Sequence, residues 1–176
     1  RRQRPLKEPW PGNPADPTGF ERLLTAHVLW MEGRGLSCHT VRNRVLHIKA
    51  LALWCGERGV LRPAEVTLPM LERYQRWARS TARTRSGKPY SVQSQHYRLT
   101  DIKQFFRWLA RSRQIPANPA SELELPKLPI HLPRGVLSLA EVEQVLAQPD
   151  VRHSMGVRDR TIMEVLYSTG IRRQEV

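Results

Sequence analysis

The run Thr169-Gly170-Ile171-Arg172-Arg173-Gln174-Glu175 holds the residue types best able to do chemistry in this sequence. An arginine guanidinium presents a planar fork of N–H donors and can give two parallel hydrogen bonds to a phosphate or carboxylate, which a lysine ammonium cannot do. Glu175 follows Arg172 by three residues, within side-chain reach across one helical turn. Local structure offers a second reading of the same residues: Gly170 as a left-handed helix cap, Ile171 packing back on the helix, and Arg172 and Arg173 as solvated charges. The residue types alone leave both readings open. Elsewhere the six histidines stand at no metal-ligand spacing with cysteines or acids, and no Gly-rich phosphate loop occurs, so neither a metal nor another cofactor is expected.

Composition narrows the partner. The chain has 176 residues, 40% hydrophobic and 26% charged, which suits a globular chain of one ordinary domain or two small ones and excludes a membrane-embedded class. Lys and Arg number 29 against 16 Asp and Glu, a formal charge of +13. Charge of that size repels itself in a compact chain unless a polyanion neutralises it, so nucleic acid is the expected partner and a membrane is not. Cys38 and Cys55 fall in one expected helix, about 25 Å apart at about 1.5 Å per residue, too far to pair. Two unpaired thiols and the lack of a charged leader with an apolar core point to the cytoplasm.

The elements that must position these residues are helical. Residues 1–17 carry five prolines and no periodic apolar pattern, so a mobile arm is expected there, with Trp10 as a local anchor. Thr18 and Glu21 have capping-box spacing, and Phe20, Leu23, Leu24, His27, Val28 and Met31 then recur at helical intervals as far as Gly33. Ser37 caps a second helix with the stripe Val41, Val45, Ile48, Ala52 and Cys55, and Gly56 stops it. A third helix starts near Thr67, tolerates Pro69 in its first turn and buries Leu71, Tyr74 and Ala78 before the basic loop "RSTARTRSGKP". Ser91 opens a fourth, with Val92, Leu99, Ile102, Phe106 and Leu109 as its core stripe. Four amphipathic helices with short connections imply an all-α four-helix bundle over residues 18–117.

Prolines return in residues 118–134, "NPASELELPKLPIHLPR", which suits an extended linker and a domain boundary. Beyond it, Ser138 and Glu141 form a second capping box ahead of a helix closed by Pro149, and another helix runs from about Val157 to Thr169. Residues 135–176 are too few to bury a core of their own.

On these residues the sequence resembles the tyrosine recombinase family of phage integrases and Xer-type enzymes. "RDRTIMEVLYSTGIRRQEV", residues 158–176, is similar to the family's first catalytic box, a helix followed by Thr-Gly-hydrophobic-Arg-x-x-Glu. "NPASELELPKLPIHLPRGVLSLAEVEQVL" is similar to its linker and first catalytic-domain helix. Thr40, Trp54, Gly59 and the run "IKQFFRWL" stand where core-binding domains carry like residues, while Arg44 departs from the aromatic commoner at its position and either faces DNA or snorkels. The resemblance implies a SAM-like core-binding bundle, a linker and the first helices of a catalytic domain continuing beyond Val176. It implies that Arg172 is the first catalytic arginine, aimed at the charge that builds on a DNA phosphate when a tyrosine attacks it to give a 3′-phosphotyrosyl link, with Glu175 in support. Tyr167, on the helix before that arginine, reads as a packing residue and not as the nucleophile.

The resemblance also implies a DNA duplex held by the second and fourth helices, with other protomers beside it. His39, Thr40, Arg42, Asn43, Arg44 and Lys49 on the second helix are candidate contacts. So are Ser91, Gln93, Ser94, Tyr97 and Arg98 on the fourth, and Arg83, Arg85 and Lys88 in the basic loop add sequence-independent attraction. Function is therefore expected to be DNA binding for site-specific recombination or integration, in a chain inactive alone for want of the nucleophilic tyrosine. The alternative is a free-standing DNA-binding protein that occupies recombination sites without catalysis, and a helical RNA-binding or scaffold module is a third class.

Overall fold

The computed structural model describes residues 9–81, 87–129 and 135–175. Its helices are α1 (Phe20–Gly33), α2 (Cys38–Gly56), α3 (Leu68–Ser80), α4 (Val92–Arg111), α5 (Leu139–Leu146) and α6 (Ser154–Thr169), with one 3₁₀ turn at Pro63–Glu65. The chain divides into two compact units at the Pro129–Ile130 bond.

In the first unit, α1 to α4 close around a single core. The side chains of Phe20, Ile48, Leu71, Tyr74, Ile102 and Phe106 are each wholly removed from solvent. Two helices start where serine spacing predicts: Ser37 Oγ accepts the Thr40 N–H at 3.2 Å and Ser91 Oγ accepts the Ser94 N–H at 3.1 Å. Such a cap satisfies one of the N–H groups that a helix start leaves unpaired. The Thr18–Glu21 capping box does not form. Thr18 gives both its amide and its hydroxyl to Asp16, at 2.9 and 2.7 Å, and Gly19 takes the N-cap position with no side-chain bond. Arg62 holds the same carboxylate at 2.7 Å, so the turn before α1 is fixed by tertiary contact instead of by a box. At the start of α4, Val92 is 44% exposed, and Gln95 and Arg98 are buried in its stead.

Two segments expected to be loose are seated on the bundle. Of the expected arm, residues 1–8 lie outside the described residues, but Trp10 packs against the core cluster. Pro11 approaches Gly56 so closely that a Cβ there would overlap its ring, a reason for glycine at the end of α2 beyond helix stopping. The first half of the expected linker also packs. Ala120 and Leu123 are buried, and Lys103 Nζ donates to the carbonyls of Ser121 at 3.2 Å and Leu123 at 2.6 Å. His96 Nδ1 meets the Pro126 carbonyl at 2.9 Å. The prolines rule out helix here, but alternating Leu residues and borrowed side-chain donors give the strap a core face all the same. Residues 130–134, the rest of that linker, lie outside the described residues.

The second unit is built differently. Ser138 and Glu141 form the expected reciprocal box, with the Ser138 N–H donating to Glu141 Oε2 at 2.7 Å. α5 ends at Leu146, ahead of Pro149, and α6 begins at Ser154, a turn earlier than the apolar pattern suggests. Gly170 caps α6 with φ of +66°, a conformation that side chains with a Cβ rarely adopt. No residue of α5 or α6 is buried. Leu137, Val142, Val145, Leu146, Met163, Leu166 and Tyr167 instead line an open apolar groove between the two helices.

Candidate nucleic-acid interface

α2 and α4 share the most extensive helix pairing in the bundle. A groove between them is lined by Thr40, Asn43 and His47 from α2 and by Ser94, Tyr97, Arg98, Thr100 and Asp101 from α4, with Tyr90 just before α4. Five of the expected contacts, Thr40, Asn43, Ser94, Tyr97 and Arg98, therefore line one concave surface. His39, Arg42, Ser91 and Gln93 are exposed on the same two helices, and Gln93 Nε2 donates to the Tyr97 hydroxyl at 3.3 Å. The first turns of α2 and α4 both contribute to this surface, through Thr40 and Ser94, which brings helix N-terminal dipoles to it. Lys88 is exposed in the preceding loop, while Arg83 and Arg85 lie outside the described residues.

Three of the expected DNA contacts, Lys49, Arg98 and Arg44, are engaged inside the protein. Lys49 is buried, its ammonium 4.9 Å from the centre of the Trp10 ring. It stands four residues after Val45 and three before Ala52, so it belongs to the packed side of α2, which the strap around Trp10 covers. Arg98 is buried too, its guanidinium 4.2 Å from the Tyr90 ring centre and donating to the Tyr74 hydroxyl at 3.3 Å. Arg44 neither faces outward nor snorkels. Its Nε donates to Asp101 Oδ1 at 3.2 Å and its Nη1 reaches Met31 Sδ at 3.4 Å, with 13% of the side chain exposed.

Four groove residues, His47, Tyr90, Thr100 and Asp101, lie outside the sequence-based set of contacts. His47 Nδ1 meets Asp101 Oδ2 at 2.7 Å, so one carboxylate from α4 holds two side chains of α2. The signal for His47 and Asp101 was present, since the first lies four residues after Asn43 and the second four after Tyr97, each on the same helix face as an expected contact.

In the second unit, the candidate catalytic pair is closed on itself. The Arg172 N–H donates to Glu175 Oε2 at 2.7 Å, and Arg172 Nη1 lies 3.5 Å from Glu175 Oε1. The arginine side chain remains 87% exposed, held by its glutamate and open to an anion. Tyr167 is 57% exposed along the α5–α6 groove, not packed as expected.

Other titratable groups serve packing. Burial pushes the Cys55 thiol up to about 12, and Cys38, exposed at the start of the same helix, is likewise unpaired. His27 is wholly buried among Trp30, Phe105 and Trp108, neither ring nitrogen finds a partner among the described residues, and burial lowers its pKa to about 4. Among the described residues no group of three or more His, Cys, Asp or Glu is placed to hold a metal ion. No helix among them is long and apolar enough to cross a membrane.

No family model matches the chain. Among curated proteins, it is 50% identical over 155 residues to tyrosine recombinase XerC 2 of Ralstonia nicotianae, an overlap of 88% of this chain and 44% of the relative. It is 36% identical over 143 residues to tyrosine recombinase XerC of Myxococcus xanthus, covering 81% and 45% of the two chains. With tyrosine recombinase XerD of Pseudomonas aeruginosa the identity is 33% over 157 residues, covering 89% and 49%. The chain thus spans just under half the length of these relatives. Among solved structures, the integrase of mycobacterium phage Brujita aligns with a TM-score of 0.53 at 24% identity, over 71% of this chain and 39% of that one. The N-terminal domain of a phage integrase/site-specific recombinase from Haloarcula marismortui aligns with a TM-score of 0.52 at 15% identity, over 61% of this chain and 96% of that one. Those two likenesses establish the all-helical fold.

Proposed function

We propose that this chain, a homologue of the N-terminal part of Xer tyrosine recombinases, is the DNA-gripping portion of a site-specific recombinase and carries that enzyme's first catalytic arginine. The observation that carries the reading is the α2–α4 groove, lined by amide and hydroxyl side chains from the N-terminal halves of both helices, with Arg42 exposed on α2 and Lys88 exposed in the loop before α4. Arg42 and Lys88, with Arg83 and Arg85 of the basic loop, contact phosphates and supply sequence-independent affinity. Thr40, Asn43, Gln93, Ser94 and Tyr97 are placed by type to meet base edges. Residues 9–129 form the core-binding domain and residues 135–176 the start of the catalytic one. Further protomers assemble beside this one on the DNA, in the cytoplasm.

The chemistry follows from the same reading. When a tyrosine hydroxyl attacks a DNA phosphodiester it gives up its proton and forms the phosphotyrosyl bond, after which the bond to the 5′-oxygen breaks and that oxygen takes up a proton. Negative charge concentrates on the non-bridging oxygens between those events, and the Arg172 fork supplies two donors there. Glu175 orients that fork and touches no substrate.

Fluorescence anisotropy of the chain with a labelled DNA duplex across a salt series tests the reading. With about four phosphate contacts, log affinity falls against log salt with a slope of roughly −3.5. Salt-independent affinity, or equal affinity for duplex RNA, overturns it.

A further inference from the structure

We propose that Asp101 sets the sequence selectivity of the α2–α4 groove, by keeping Arg44 away from phosphates and by fixing the His47 ring so that Nε2 is the atom offered to a base edge. The proposal rests on the groove's being a DNA site and names a determinant within it. An acid is an unexpected occupant of such a surface, because a carboxylate repels the phosphates that the surrounding cations attract. Asp101 is nonetheless 17% exposed on the groove wall and engages α2 twice, through Arg44 Nε at 3.2 Å and His47 Nδ1 at 2.7 Å. The first contact removes a guanidinium from the free cations of the face, which lowers affinity for every sequence alike. The second occupies Nδ1 with an acceptor, so Nδ1 carries a hydrogen. Nε2 then has no protein partner among the described residues, while the His47 side chain is 23% exposed in the groove. A ring with its tautomer fixed in this way offers Nε2 as an acceptor when neutral, a match for the amino groups that adenine and cytosine show in the major groove. Asp101 is therefore a positioning residue acting through two others, and its effect is on the ratio of specific to non-specific binding.

The test uses the whole chain with two probes: a duplex enriched by the wild type from a randomised library, and poly(dI-dC) as the non-specific competitor. Asp101→Asn keeps the shape, frees Arg44 and lets the ring turn. It raises affinity for poly(dI-dC) about threefold or more and steepens the salt slope by about 0.9, the value of one added phosphate contact. The ratio of the two affinities falls about tenfold. His47→Ala, with the Arg44–Asp101 pair intact, lowers affinity for the enriched duplex about tenfold and leaves that for poly(dI-dC) within about twofold. If the wild type enriches a duplex and both variants keep its ratio and its slope, the inference is overturned and the DNA-binding reading stands. A wild type with no salt-dependent affinity for any duplex overturns both. If Asp101→Asn fails to melt cooperatively, His47→Ala alone decides: an unchanged preference overturns the inference and a lost one supports it.

Discussion

Both units of the chain are helical, but their helices are held by different means. Residues 9–129 enclose a continuous core to which α1 to α4, the strap around Trp10 and the Leu-rich segment through Leu123 all contribute. Residues 135–175 contain helices with no buried side chain, maintained by the Ser138–Glu141 box, the Arg160–Glu164 pair at 2.9 Å and the Gly170 cap. Each candidate site follows the logic of its unit. The α2–α4 groove exists only because the bundle brings together residues some fifty positions apart, whereas the Arg172–Glu175 pair is complete within four consecutive residues. Disrupting packing should therefore abolish the first site and leave the second unaltered.

The largest expected effect tests that contrast directly. Ile102→Ala or Phe106→Ala removes a fully buried side chain from the core and costs about 3–5 kcal/mol, enough to unfold a marginal domain and to eliminate duplex binding with it. Val145→Ala, on the open face of α5, costs less than about 0.5 kcal/mol. Urea titrations followed by circular dichroism separate the two. An equal loss at both positions would mean that the second unit is also held by a core.

Acid should act through the first unit as well. The folded pKa of His27 is lowered to about 4 by burial, below the ordinary 6.5. Above pH 6.5 the ring is neutral folded or unfolded, and stability is complete. Between 6.5 and 4 the unfolded chain takes up a proton that the folded one refuses, so stability falls, on the order of 3 kcal/mol in all. Asp16, held down to about 2 by the Thr18 and Arg62 hydrogen bonds, adds its own loss only below the usual carboxylate value. His27→Leu should flatten the limb between pH 6.5 and 4 while leaving the lower one. A melting profile in which the wild type and His27→Leu fall in parallel from pH 6.5 contradicts this account.

A smaller effect separates Arg42, exposed on α2, from Lys49, which packs inside the protein. Arg42→Ala should weaken binding to all duplexes alike and shorten the salt slope by about 0.9. Lys49→Ala should leave the slope unchanged and lower stability by about 1 kcal/mol, since its stem and charge pack on Trp10. A slope that changes in both variants returns Lys49 to the DNA face.

What was legible in the sequence tracks the range of the interactions. Helix starts set by Ser37, Ser91 and Ser138 could be read from spacing, because a cap is complete within three residues. Thr18 misled for the opposite reason: its hydroxyl goes to Asp16, and that carboxylate is held by Arg62, 46 residues away. The apolar stripe of α3 was readable from period alone, and so was most of those of α2 and α4, where Leu51, Trp54 and Phe105 also turn to the core. The partners of Arg44, Lys49 and Arg98 were not, because whether a cation meets solvent or a carboxylate, an indole or a phenol depends on what the fold lays against it. Prolines likewise signalled the absence of helix in residues 9–17 and 118–129 correctly. They gave no sign that Trp10, Ala120 and Leu123 would find the core.

The smallest expected effect is on the chain alone, at its most exposed chemistry. Arg172→Ala removes a side chain that is 87% exposed and that, among the described residues, pairs with Glu175, so neither folding nor duplex binding should move by more than about twofold in equilibrium constant. The same change should matter once chemistry is present. Joined to the remaining half of its Ralstonia relative, with which it shares 50% identity over the overlap, the wild-type chain is expected to form a covalent adduct with a nicked duplex. Arg172→Ala should slow that step about a hundredfold or more, the cost of losing a charged donor aimed at developing phosphate charge. Arg172→Lys should recover part of the rate, since an ammonium keeps the charge and loses the fork. Equal adduct formation with arginine and alanine would reduce the pair to a local cap after Gly170, and the recombinase reading would then rest on the α2–α4 groove.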